Sequence, residues 1–148
     1  MKRHITFISS ISALILMTLA CSFSIELGGS LDAEIINVEA REGWNNTHIE
    51  VEEGDLLTIT YVSGKWSPWP GDRYDAIGSG GDPRCRCNVM EGVSHAALIG
   101  RIGDHEPFLV GERYHHSIGE SGLLYLGIND VDLNDNSGHL QVKVEIAE

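Results

Sequence analysis

The segment His139-Leu140-Gln141-Val142-Lys143-Val144-Glu145-Ile146 trades polar for apolar residues without a fault, and this period of two constrains the chain more than any other feature. A helix turns by about 100° per residue and would smear such a pattern around its surface, whereas successive strand residues face opposite sides of a sheet. The segment therefore reads as a half-buried strand. The same period appears in Thr47 to Val51, Leu56 to Val62 and Leu123 to Ile128, and shorter strands fit Ile35 to Val38, Ala96 to Ile102, Phe108 to Val110 and Tyr114 to Ile118. Turn signals separate them at Glu53-Gly54-Asp55, Gly103-Asp104, Gly111-Glu112, Gly119 to Gly122 and Asn134 to Gly138. No helical period survives outside the N-terminal stretch. The pattern predicts an all-β fold, an antiparallel β-sandwich of about eight strands with jelly-roll-like topology.

One stretch breaks the rhythm. From about Ser63 to Ser94 alternation fades, and three of the four prolines (Pro68, Pro70, Pro83), a run of glycines and two of the three tryptophans gather there. A stretch of that length without regular structure is uncommon inside a compact domain and often functional. Trp66 and Trp69 argue against a disordered insertion, because large aromatics bury area.

The chain opens Met1-Lys2-Arg3-His4, followed by an apolar run from Ile5 to Ala20 and then Cys21. A basic start, a short apolar centre and a small-residue exit mark a signal peptide, here residues 1–21, and the run is short for a membrane span. Residues 22–33 read as a linker and residues 34–148 as one domain. Leu19-Ala20-Cys21 resembles a lipobox, with Thr18 where that motif usually has Leu, so two fates stay open: lipidation of Cys21 in the cell envelope, or ordinary cleavage and secretion. In the first case the lipid is the chain's contact with a membrane. Cys85 and Cys87, one residue apart, could close only a small strained ring, and a labile disulfide and free thiols are both open.

Of 22 acidic and 10 basic residues, two basic ones, Lys2 and Arg3, fall in the export segment. The remaining negative field repels phosphate backbones, which excludes nucleic acid as a partner, and it favours divalent cations. Solubility of an exported domain accounts for the same acidity without any metal.

The stretch Asn129-Asp130-Val131-Asp132-Leu133-Asn134-Asp135-Asn136-Ser137-Gly138 concentrates carboxylates and amides between the last two strands. Hard cations such as Ca2+ take such oxygens at about 2.3–2.6 Å. The spacing of Asp130, Asp132 and Asn134 superficially follows an EF-hand, but Asp135 replaces the required Gly, Gln141 the required Glu, and the flanks are strands, so that motif is rejected. A polar hairpin built on Asx-turns is the alternative to a calcium loop.

Several blocks, in order, resemble the small calcium-dependent galactose-binding bacterial lectins of the PA-I galactophilic type: Ile49 to Ile59, Gly64-Lys65-Trp66, Gly71-Asp72-Arg73, Ala97 to Gly103, Phe108 to Gly111, and Gly122 to Asp130 leading to Asn136-Ser137-Gly138. The resemblance spans about Ile35 to Ile146 and implies a galactose-binding-domain-like sandwich. It also implies a calcium ion held by side chains of Asp130, Asp135 and Asn136 and by main-chain carbonyls near Trp69 and near Asp132 or Leu133. Asp135 stands where those lectins have Asn, and the loop is two residues shorter. Sugar hydroxyls in that family bind the calcium directly, which implies Asp130, Val131 and Asp135 as sugar contacts. The His and Gln that follow Gly-Asp-Arg in the family are absent from Tyr74-Asp75-Ala76-Ile77-Gly78, so galactose specificity is not inherited. Asp75 could accept a hydroxyl there and Tyr74 or Trp69 could stack on a sugar, loop packing being the alternative role. Those lectins are often multimeric, which points to a homo-oligomer.

Catalytic constellations are thin. Gly92-Val93-Ser94-His95-Ala96 lacks the second Gly of a nucleophile elbow. His115 and His116 are adjacent on a strand and face opposite sides, and the histidines show no zinc-ligand spacing. The sequence thus points to a calcium-dependent carbohydrate-binding module that is not an enzyme. Its rival is an envelope structural or adhesion domain with a calcium-stiffened loop and no sugar binding.

Overall fold

The computed structural model describes residues 33–80 and 86–148. The stretch expected to be a signal peptide, most of the expected linker, Cys21 and Cys85 lie outside the described residues. Among the described residues eight strands form: β1 (Glu34–Glu39), β2 (Asn45–Val51), β3 (Leu56–Ser67), β4 (Leu98–Ile102), β5 (Phe108–Leu109), β6 (Arg113–Ser117), β7 (Gly122–Ile128) and β8 (Ser137–Ala147). They pair antiparallel in two four-stranded sheets, ordered β1-β8-β3-β6 and β2-β7-β4-β5. This is the expected all-β sandwich, and its strand order is that of a jelly roll.

The alternation translates directly into burial. Leu140, Val142 and Val144 of β8 are buried and meet Leu57 and Ile59 of β3, while Leu124, Leu126 and Ile128 of β7 and Leu98 and Ile102 of β4 fill the space from the other sheet. Trp66 is fully buried, and its indole Nε1 donates to the Ala96 carbonyl at 2.9 Å.

β3 runs five residues further than the alternation indicates, through Ser63–Ser67, so part of the segment read as irregular is strand. The pairing of β3 with β8 shifts register between Tyr61 and Ser63, which moves the side chains to new faces and hides the period. Gly64 carries φ 95°, and a Cβ there would lie 2.5 Å from the His139 carbonyl oxygen. The sequence signal is broken where the backbones of β3 and β8 approach too closely for a side chain.

Candidate functional site

The loop from Asn129 to Asn136 joins β7 to β8 and therefore ties the two sheets together. At its start Asn129 is completely buried. Its Oδ1 accepts from the Met90 N–H at 2.7 Å, and its Nδ2 donates to the carbonyls of Met90 (3.2 Å), Val93 (3.3 Å) and Ser94 (3.1 Å). One side chain thus shapes the irregular segment that precedes β4. Val131 continues the tie, its N–H donating to the Cys87 carbonyl at 2.9 Å. Cys87 is disulfide-bonded, with its partner outside the described residues.

Asp130 and Asn136 close the loop and are both buried, at 4% and 0% exposure. Asp130 Oδ1 accepts from the Asp132 N–H at 3.0 Å. Asn136 Nδ2 donates to the Ala40 carbonyl at 3.0 Å. Among the described residues, Asp130 Oδ2 and Asn136 Oδ1 make no hydrogen bond of acceptable geometry, although the Asn136 side chain lies near enough to Asp130 to act on its carboxyl. An unsatisfied buried acceptor costs on the order of 1–3 kcal/mol and more when charged, so two in one loop require an explanation. Loss of hydration raises the Asp130 pKa above its ordinary 3.8, and the Asp135 carboxylate adds to that rise. The Asp132 N–H, His95 and the Asn136 side chain pull the other way.

The remaining oxygens of the loop are arranged differently. Asp132 is exposed, and its Oδ1 accepts from the N–H (3.2 Å) and Nδ2 (3.0 Å) of Asn134, an Asx-turn. Asp135 is exposed but close enough to Asp130 to act on its carboxyl. Among the described residues no three His, Cys, Asp or Glu side chains cluster as a metal site. Any cation here would rest on Asp130, the amide of Asn136, Asp135 and main-chain carbonyls. Two orphaned buried oxygens of the hard type that calcium takes fit that donor set.

The wall beside the loop comes from the stretch after β3. Ser67 Oγ sits between the carbonyls of Trp69 and Asp72, which share its single proton, and the chain bends back so that Tyr74 bridges to Trp66 through N–H to carbonyl bonds of 2.8 and 3.0 Å. The Trp69 ring then stacks on His95, centroids 5.2 Å apart and 3° from parallel, and meets Tyr74 edge-on at 5.7 Å. His95 is buried, with Nδ1 at 2.9 Å from Asn88 Oδ1. Asp75 Oδ1 accepts from the Ile77 N–H at 3.0 Å. Gly78 has φ 83°, and a Cβ would lie 2.4 Å from the His95 carbonyl oxygen, so only glycine permits this close approach.

The sequence singled out Asp130, Asp135, Asn136, Trp69 and Tyr74, and these share one end of the sandwich. It missed the supporting roles of His95, Asn129, Ala40 and Arg41. Those roles rest on side-chain-to-backbone bonds and a ring stack between distant segments, which leave no periodic trace.

No family model matches the chain, and no curated protein matches it. Among solved structures, one titled "EclA N-terminal domain; PllA-like lectin" superimposes with a TM-score of 0.61 at 24% identity, covering 76% of this chain and 95% of that chain. At that identity the likeness establishes a shared lectin-like fold.

Proposed function

We propose that the chain is a calcium-dependent carbohydrate-binding module without catalytic activity. The observation that carries this reading is the pair of buried, unpartnered oxygens, Asp130 Oδ2 and Asn136 Oδ1, in one loop beside a half-exposed tryptophan. The fold shared with a structure titled as a lectin supports it.

In this account the side chains of Asp130, Asp135 and Asn136 hold the ion together with carbonyls from the Trp69 turn and from Asp132 or Leu133. When bound, calcium supplies coordination positions for vicinal sugar hydroxyls, replacing their hydration. The chain's own groups orient the sugar. Asp130 and Asp135 accept from hydroxyls, the Val131 backbone lies alongside, and Asp75 and Tyr74 line the adjoining rim. Trp69, held by His95 on one face, offers the other to the apolar side of a pyranose ring.

A glycan array probed with the full chain, in calcium and in chelator, tests the reading. It predicts retention on a subset of glycans in calcium only. Calcium-independent retention, or none on any glycan, would contradict it.

A further inference from the structure

The corner that ends β1 also reaches the loop. The Ala40 N–H donates to the Gly138 carbonyl at 3.0 Å, Asn136 Nδ2 donates to the Ala40 carbonyl at 3.0 Å, and Arg41 Nε donates to the Asn136 carbonyl at 2.6 Å. The last is short and charge-assisted, the stronger kind of hydrogen bond. Asn136 is therefore gripped by both its amide nitrogen and its main-chain oxygen. Because Nδ2 is committed to Ala40, the orientation of the carboxamide is fixed, and its Oδ1 is left as one of the two orphaned acceptors.

The same corner bears on β1. That strand is an edge, paired only with β8 among the described strands. Its last residue, Glu39, pairs with His139, and the contacts of Ala40 and Arg41 with Asn136 and Gly138 extend the junction into the loop. Edge strands held at one side open more readily than central ones, so a fixed corner matters to the whole strand.

We propose that Arg41 is a positioning residue for the cation site, and that filling the site tightens edge strand β1 through the Ala40–Arg41 corner. This rests on the calcium reading above. Arg41 does not touch the ion; it holds the Asn136 backbone so that Oδ1 is presented without reorganisation. Loss of one charge-assisted bond of this kind corresponds to a roughly tenfold or greater weakening if the ion depends on it.

The test is calcium titration of the full chain, wild type against Arg41→Ala and Arg41→Lys, with hydrogen exchange of the β1 amides read in parallel. In wild type, calcium should slow exchange across β1. Arg41→Ala should raise the calcium Kd about tenfold and abolish that slowing, while its melting temperature in chelator stays within about 2 °C of wild type, as expected for one exposed side chain. Arg41→Lys keeps the charge without the planar fork and should fall between. An unchanged Kd in Arg41→Ala, or a loss of affinity matched by an equal loss of stability in chelator, overturns the positioning role while leaving the calcium reading standing. If wild type binds no calcium at all, both fail together.

Discussion

The Trp69 ring lies flat on the His95 ring, 3° from parallel with centroids 5.2 Å apart. His95 in turn is close enough to Asp130 to lower its pKa. The stack therefore places an aromatic surface beside the loop proposed to hold the ion. Trp69→Ala removes the ring but keeps the main-chain carbonyl, so the two proposed roles of this residue separate. Glycan affinity should fall roughly threefold to tenfold, the worth of one aromatic contact, while the calcium-induced rise in melting temperature persists. Paired glycan binding and melting measurements check this.

Asn129 organises the segment beneath that stack with four bonds from one amide. Asn129→Ala would leave buried backbone groups of Met90, Val93 and Ser94 unpaired, at about 1–3 kcal/mol for each group that finds no water. Denaturant unfolding should show the loss. Hydrogen exchange should rise first at Met90 to His95, ahead of β8.

Trp66 anchors the interior from β3, fully buried with its Nε1 satisfied by Ala96. Trp66→Ala should cost about 3–5 kcal/mol, which is a large part of the stability of a domain this size. Equilibrium unfolding measures it directly.

Asp130 gives the account a pH signature. Its folded pKa is raised, chiefly by lost hydration, so the folded state binds the proton more tightly than the unfolded chain does. Without metal, the ionised carboxylate destabilises the fold above the folded pKa, and that penalty is relieved as pH falls through it toward 3.8. In chelator, Asp130→Asn should therefore melt above wild type near neutral pH, with the gap closing toward about pH 4. In calcium at neutral pH the order should reverse. Melting curves of the two proteins across pH, with and without calcium, read both signs.

The strands of the sandwich were legible because a half-buried strand writes its burial into a period of two, as His139 to Ile146 does. Ser63–Ser67 escaped because a register shift and Gly64 interrupt the period while the strand continues. Within the acidic loop, composition did not rank Asp130, Asp132 and Asp135, and only the family resemblance set the side chains of Asp130 and Asp135 apart from Asp132. Burial separates them: Asp130 is enclosed, whereas Asp132 is spent on an Asx-turn with Asn134. The contributions of Ala40, Arg41 and His95 were not legible, since each acts on a partner far along the chain that topology alone brings near.

The central claim is that Asp130 Oδ2 and Asn136 Oδ1 await a cation, and thermal unfolding in calcium against chelator tests it most directly. Binding to the native state alone adds RT ln(1 + [L]/Kd), about 2.7 kcal/mol at a hundredfold excess over Kd. For a domain of this length that is a rise of at least about 5 °C in melting temperature. Asp130→Ala should lose the rise entirely. A wild-type melting temperature that is the same in calcium and in chelator, and matched in its indifference to calcium by Asp130→Ala, would contradict the account and leave the loop a polar turn.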